Sequence, residues 1–581
     1  MFKLARRIFP GLNWLRGYNA RLFADDAIAS VITAILLIPQ SLAYALLAGL
    51  PPQAGLYAST TPLIAYALFG SSRVLAVGPV AVVSLMTAAA IGELGLDDPA
   101  QQMAAAGALA LLSGGFLLVF GLLNLGAIAN FLSRPVINAF ITASTLLIIA
   151  SQLKHILGVE ASGATLPELV MSMAGNAGNI NLLALAFGAG SLAFLVFMRG
   201  GLQPALTGLG VPANIAATIT RAAPALLVVI ATLIAASMSL ADRNGLDIVG
   251  ELPTGLPPVQ PPLVPLEIWR ELLGPAALIS LIGFVESVSV GQSLAARRRE
   301  SVNPNRELFG LGAANAAAAL TGGYPVTGGF ARSVVNEQAG AQTPLAGVFT
   351  ALIIAIVAVF LTPLFYHLPK AALAATILIA IWKLADFKSL REAWRYSQAD
   401  GAAAFLTLFG VLFLGVELGL TLGVTVSVGS ILLRTMKPHW AQVGQVPGTH
   451  HFRNPNRHEV VLSPHVYAIR VDSALYFANA HFLEDLLAQT MAEHEGITDV
   501  VLMCPAVNFI DASALVSLRT INQRLSDSGV TLHLSEVKGP VNDQLMAAGF
   551  GDELSGEIFM SQYAAMRTLD PQTTLRAEGV D

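Results

Sequence analysis

Charge is scarce in this sequence. Asp, Glu, Lys and Arg together make up only 12% of its 581 residues, against about 25% in soluble domains. A water-soluble globule of this length would need more charge to cover its surface, so that class is excluded for most of the chain. Cysteine is nearly absent: Cys504 stands alone and cannot form an internal disulfide. A reducing compartment suits such a chain. Positive charge is not in excess, since 32 Lys/Arg face 37 Asp/Glu for a net of −5, and this leaves no footprint for nucleic acid. The 52 Gly show no triplet period, which excludes a collagen-like chain. No Cys/His spacing marks a metal site. No phosphate loop or nucleophile–base constellation marks an enzyme, and nothing calls for a cofactor.

What is present is mostly apolar. Hydrophobic residues account for 55% and mean hydropathy is +0.66. The charge that exists is unevenly placed. Residues 438–581 hold 8 Lys/Arg against 17 Asp/Glu, a net of −9, leaving 24 against 20, a net of +4, for residues 1–437. This predicts a membrane domain over 1–437, a linker over 438–457, a cytoplasmic domain over 458–570 and a tail over 571–581.

A spanning helix needs roughly 20 apolar residues. Uncharged runs of that order recur: Ala27–Ser72 (with Pro51-Pro52 near its middle, hence two spans), Val74–Gly92, Pro99–Ser133, Pro135–Leu153, Leu169–Met198, Ala222–Ala241, Leu308–Ala331 and Gln338–Pro369. Gly401–Val416 and Leu418–Leu433 follow, and the favoured total is fourteen segments. Lys3, Arg6 and Arg7 precede a short apolar stretch without a cleavage pattern, which argues against a signal peptide. Lys/Arg fall roughly on alternate connections: the N-terminal group, Arg73, Arg199, Arg297–Arg299 with Arg306, Lys383 to Arg395, then Arg434 and Lys437. That side is taken as cytoplasmic, which places both termini inside. Lys154 and Arg243 do not follow this pattern. Leu252–Pro265 reads as an extended external link between two halves, or as an ordinary Pro-rich loop.

Two segments share an oddity. Ser71 to Ala81 places Gly78-Pro79 before a short apolar helix, and Gly322 to Ser333 places Pro325 and Gly328-Gly329 before another. Non-helical backbone at membrane depth is tolerated only inside protein or beside a cavity. Paired, interrupted segments in corresponding halves point to a transporter site built from half-helices, whose N-termini offer free N–H groups and a positive dipole end to an anion. Ionisable residues inside apolar runs are functional candidates. Glu286 could take a proton or, with Ser289 on the same helical face, hold a cation; it could equally bond a neighbouring helix. Arg332 adds a full charge to the second half-helix, unless it reaches to the interface. The Gln40 amide can donate to an anion or bridge helices. Arg134 and Arg221 read as boundary residues.

The stretches IPQSLAYALLAGLPPQAGLYAS (from Ile38) and FGSSRVLAVGPVAVVSLM (from Phe69) resemble the first signature of the SulP anion permeases. This family includes sulfate permeases and the mammalian proteins prestin and pendrin. GFVESVSVGQSLAARR (from Gly283) and NPNRELFGLGAANAAAALTGGYPVTGGFARSVVNEQAG (from Asn303) resemble its later half. The resemblance implies an all-α polytopic domain, a seven-plus-seven inverted repeat with core and gate subdomains, holding an anion between facing half-helix N-termini. It carries substrate contacts onto Gln40, Tyr44, Val80, Ala81, Phe330, Ala331 and Arg332, and a coupling-ion role onto Glu286 and Ser289. Animal members often have an aromatic in place of Val80 and a serine in place of Ala331, so this site should lean on backbone N–H and Arg332. A homodimer is also implied.

From His458 short strands alternate with amphipathic helices, which implies a small α/β layer: strands at Val466–Val471, Asp499–Cys504 and Thr531–Ser535, helices at Ala480–Ala492, Ser513–Leu525 and Pro540–Ala548. The order, centred on NFIDASALVSLRTI (from Asn508), resembles a STAS domain, related to anti-sigma-factor antagonists. That module could bind a cytoplasmic protein. Ser513 falls where the antagonists carry a phosphorylatable serine, while a serine opening a helix ordinarily caps it.

The expectation is a secondary active transporter in a bacterial-type inner membrane. Its first substrate is sulfate, coupled to a proton by an elevator-like movement. The alternatives are sodium-coupled bicarbonate, proton-coupled dicarboxylate, or a passive anion channel.

Overall fold

The structure is a computed structural model that describes residues 17–130, 133–210, 212, 216, 220, 223–241, 245–494 and 496–579. Lys3, Arg6, Arg7, Arg16, Arg221 and Arg243 lie outside the described residues. Contacts divide the chain into two compact units, Met1–Ser427 and Val428–Asp581.

The first unit is helical. Its first half runs α1 (Ala20–Leu47), α2 (Gln53–Tyr57), α3 (Thr61–Phe69), β1 (Val77–Gly78), α4 (Ala81–Gly92), α5 (Pro99–Leu122), α6 (Arg134–Leu157), α7 (Leu182–Phe197) and α8 (Ala223–Ser237). The second half runs α9 (Leu273–Arg298), α10 (Pro304–Leu320), β2 (Thr327–Gly328), α11 (Phe330–Gln338), α12 (Leu345–Phe360), α13 (Lys370–Ile381), α14 (Gln398–Leu414) and α15 (Val416–Met436). Setting aside the short helices Leu166–Gly175, Gln203–Gly208, Leu266–Glu271 and Phe387–Tyr396, and taking α2 with α3 and each strand with the helix after it, the described residues give seven segments per half. The third segment of each half is a short strand followed by a half-helix. Among the described residues six helices, including α1, α5, α6 and α9, are long and apolar enough to cross a membrane.

Local chemistry sets the boundaries. Asn19, Asp98 and Asn303 each accept a backbone N–H at the start of a long helix, satisfying donors that a helix N-terminus leaves open. Proline occupies the first turn of α5, α6 and α10, where its missing N–H costs nothing. Gly158 ends α6 in the left-handed region at φ 63°. Small residues let helices approach closely, as is usual inside membranes. A Cβ on Gly310 would lie 2.7 Å from the Gly70 Cα, and one on Gly114 would lie 2.9 Å from the Gly312 carbonyl oxygen. The run Leu308–Ala331 is thus not one helix: it holds most of α10, a connector and β2. Residues 252–265 form no helix. Gly255 N–H donates to the Ala358 carbonyl (3.2 Å) and Gln260 N–H to that of Leu320 (2.9 Å), so the stretch is tied down along its length.

In the second unit a five-stranded sheet has the order β3 (Trp440–Gln442), β4 (Val466–Val471), β5 (Asp499–Met503), β6 (Thr531–Ser535), β7 (Ile558–Phe559). β3 is antiparallel to β4 and the other pairs are parallel. Helices α16 (Ala480–Glu493), α17 (Ala512–Asp527), α18 (Gly539–Ala547), α19 (Gln562–Leu569) and α20 (Pro571–Glu578) accompany it. The expected strands and helices are present with ends shifted by a residue or two. Two assignments change. Residues 438–457 are more than a linker, because β3 forms the sheet edge and Gly444–Gln445 pairs with Phe452–Arg453. Residues 571–579 are more than a tail: α20 buries Thr573 and Thr574, the Ala577 carbonyl accepts Gly448 N–H, and Glu578 accepts from the Tyr563 hydroxyl.

Ser513 does not cap α17. Asp511 does: its carboxylate accepts Ala514 N–H (2.8 Å) and, from the loop between β4 and α16, Phe477 N–H (2.9 Å). Ser513 lies exposed in the first turn. Cys504 is buried beside the sheet, and burial, with Glu536 nearby, pushes its thiol up to about 12. The neutral thiol should therefore resist alkylation by iodoacetamide at pH 8 in the native protein and label fully in denaturant, read by mass spectrometry. Equal labelling in both would contradict this burial.

Candidate functional site

The interrupted segments meet. β1 and β2 pair antiparallel, Val77 opposite Gly328 and Gly78 opposite Thr327. Each strand leads into its half-helix after one or two residues, so the N-termini of α4 and α11 begin on either side of one short ribbon. Neither has a side-chain cap: Val80 precedes α4 and Gly329 precedes α11. The first helical bonds run from Ser84 N–H to Val80 and from Ser333 N–H to Gly329. The N–H groups before them point along the axes, where a helix presents positive potential.

Polar side chains fix the ribbon. Ser287 on α9 accepts Gly328 N–H (2.8 Å), and its hydroxyl lies 2.6 Å from that of Thr327. Asn315 on α10 brackets Val326, accepting its N–H and donating to its carbonyl, both at 2.9 Å. The other half's connector is held by α11: Ser333 accepts Ala76 N–H (3.0 Å) and Asn336 donates to the Val74 carbonyl (3.0 Å). The Tyr324 hydroxyl lies 3.2 Å from that of Ser84 on α4.

Arg332 projects from the first turn of α11. It is 2% exposed, and its Nη1 is buried without a hydrogen-bond partner among the described residues. A buried, unpaired guanidinium nitrogen is costly. Room for the group comes from two absent side chains: a Cβ on Gly78 would lie 2.3 Å from Nη1, and one on Gly329 2.7 Å from Nε. The Glu286 carboxylate interacts with it electrostatically, and the neutral Tyr44 and Tyr324 phenols share its surroundings.

Of the residues expected at the site, Tyr44 interacts with Arg332, and a Cβ on Gly329 would lie 2.9 Å from Val80 Cγ1. Gln40 and Tyr44 are buried on α1, one turn apart and just after Pro39. Val80 and Ala81 are buried at the start of α4. Glu286 is half-buried on α9 and lines a cavity of about 20 Å³ with Val82, Phe140, Ile141, Ile282 and Leu420. Phe330 is 48% exposed, so its contribution here is its backbone. The side chain of Ala331 is outside the described residues. Ser289 does not share the Glu286 cavity. It is exposed and lines a separate vestibule of about 560 Å³ with Arg134, Gln292 and Asn305. Ile137 and Val285 wall both spaces.

A helical membrane unit with two half-helices led by paired strands and a buried arginine beside them, followed by a separate α/β unit, defines an anion-transporter class of fold. The pattern of the sulfate permease family matches residues 23–407 and that of the STAS domain matches residues 457–565. Sulfate transporter 4.1, chloroplastic, from Arabidopsis thaliana is 34% identical over 95% of this chain and 81% of its own. A probable sulfate transporter of Mycobacterium tuberculosis is 33% identical over 96% and 97%. Among solved structures, SLC26A9 superimposes with a TM-score of 0.87 at 24% identity, covering 99% of this chain and 94% of that one. The transmembrane domain of the cyanobacterial bicarbonate transporter BicA does so with a TM-score of 0.58 at 22% identity, over 71% and 99%. The chain belongs to the sulfate permease family and is a polytopic membrane transporter rather than an enzyme.

The glycine requirement gives a direct test. Gly78→Ala should displace the Arg332 guanidinium and weaken anion binding by roughly tenfold or more, since a hydrogen bond to a charged group is worth about 1.5–3 kcal/mol. Anion titration of the purified protein by calorimetry measures it. Wild-type affinity in Gly78→Ala would remove Gly78 and its arginine contact from the site.

Proposed function

We propose that the chain is a secondary active transporter of sulfate, coupled to a proton through Glu286. The observation that carries this reading is the unpartnered Nη1 of Arg332 at the mouths of two uncapped half-helices. Charge balance favours a dianion. Arg332 supplies one positive charge and each helix end roughly half of one, so the pocket offers roughly +2 when Glu286 is neutral and +1 when it is ionised. A dianion then matches the protonated carboxylate, and loading sulfate and a proton together avoids burying a net charge. The sulfate transporters among its relatives support the same substrate.

In this reading Gln40, Tyr44 and the backbone of Val80, Ala81, Phe330 and Ala331 surround the anion. Ser289 belongs to the entry path rather than to the coupling site. The vestibule lies beside Arg134 and Asn305, next to the Arg297–Arg299 and Arg306 connection, and is assigned to the cytoplasmic side. Both termini are then cytoplasmic. Release outward requires the half-helix core to move against α6 and α15 in an elevator-like step. Two copies form the functional dimer, and the STAS unit, with exposed Ser513, offers a surface for a cytoplasmic protein.

Proteoliposomes holding the purified protein test this reading with labelled sulfate. Uptake should rise several-fold under an inwardly directed proton gradient. Glu286→Gln should abolish that dependence, and Arg332→Ala should abolish uptake. Uptake of bicarbonate but not sulfate, driven by sodium, would overturn the assignment, as would large passive currents without gradient-driven accumulation.

A further inference from the structure

Among the described residues of the membrane unit, two fully buried carboxylates lie outside this pocket. Glu307, in the first turn of α10, is 0% exposed and accepts from four donors: the Tyr66 hydroxyl (2.7 Å), the Ser71 hydroxyl (2.6 Å), Ser71 N–H (2.9 Å) and Ser72 N–H (3.1 Å). All four belong to the first half of the repeat. Asp26, near the start of α1, is also 0% exposed. It accepts Gln342 N–H (2.7 Å), Thr343 N–H (3.1 Å) and the Thr343 hydroxyl (2.6 Å), which lie between α11 and α12 in the second half. The Tyr18 hydroxyl reaches the same carboxylate at 3.4 Å. Each half thus clamps the other half's interrupted segment with one buried carboxylate. Glu307 takes the entry to β1 and α4, and Asp26 takes the exit from α11.

A hydrogen-bonded chain leads from the first clamp to the pocket. Ser72 N–H is held by Glu307, the Ser72 hydroxyl accepts Leu75 N–H (3.2 Å), and Ala76 N–H is held by Ser333 on α11. Gly78, whose missing side chain admits Arg332, follows two residues later. On the other side, Thr33 of α1 donates to Asn336 of α11 (3.3 Å), and Asn336 donates to Val74. The carboxylates bond to groups flanking both half-helices.

We propose that Glu307 and Asp26 are positioning residues that fix the separation of the two half-helix tips, and thereby the anion affinity. The inference rests on the sulfate reading above. A hydrogen-bonding role set by geometry makes a particular demand. Glutamine at 307 keeps an acceptor oxygen, with two lone pairs, facing the Ser71 and Ser72 donors and can donate to the Tyr66 oxygen. Alanine removes the acceptor these donors share, and two of them, the Tyr66 hydroxyl and Ser72 N–H, are buried.

The half-saturating sulfate concentration for uptake into proteoliposomes, normalised to folded protein by size exclusion, reads this role. Glu307→Ala should raise it roughly tenfold, as a misplaced charge-assisted contact would, and Glu307→Gln should stay near the native value. Asp26→Ala should act in the same direction, and tests the idea independently if Glu307→Ala fails to fold. A loss of folded protein or maximal rate at unchanged half-saturation would overturn the inference and leave a purely structural role. A Glu307→Gln defect equal to that of alanine would overturn it in favour of charge. Absence of sulfate uptake by the native chain would overturn the sulfate reading instead.

Discussion

A guanidinium buried in a membrane protein, with one nitrogen facing no partner, constrains everything around it. Arg332 is excluded from solvent and bounded by backbone at Gly78 and Gly329. An isolated charge in such surroundings costs several kcal/mol unless something pairs with it. The local architecture serves the same end: the ribbon that replaces helix at membrane depth, the uncapped half-helices and the glycines that let the arginine lie against the strands. Each adds positive potential or clears space at one place. An anion is the partner proposed for it.

The rest of the core holds that place still. Ser287 and Asn315 fix one connector, and Ser333 and Asn336 fix the other. Glu307 and Asp26 tie the halves across each other. Glu286 stands apart from this scaffold. It lines the narrow space between α9 and helices α6 and α15, shares walls with the vestibule, and is a carboxylate whose charge acts on Arg332.

Much of this was legible in the sequence because its signals were strong. Fourteen segments follow from apolar runs, and the half-helices from glycine and proline placed where a span should continue. Arg332 and Glu286 stood out because ionisable residues in apolar runs are rare. The small polar residues that fix the ribbon were not legible. Serine, threonine and asparagine are common in membrane helices, and nothing separates Ser287, which bonds the ribbon, from Ser289, which faces the vestibule. Glu307 and Asp26 were hidden for another reason: near helix starts they read as ordinary boundary charges, and only the fold shows them buried. In the second unit the alternation of strands and helices was clear. The edge strand at Trp440 was too short to register, and the cap of α17 fell to Asp511, two residues before the serine considered for it.

The central claim is that both half-helix tips and Arg332 converge on one anion. Selenate, a heavier analogue of sulfate, tests it through its anomalous scattering in crystals of the protein. The account predicts one strong selenium peak per chain within hydrogen-bonding reach of Arg332 Nη1 and of backbone N–H groups from both α4 and α11. A peak elsewhere, or saturating selenate that leaves Nη1 unpartnered, would contradict it.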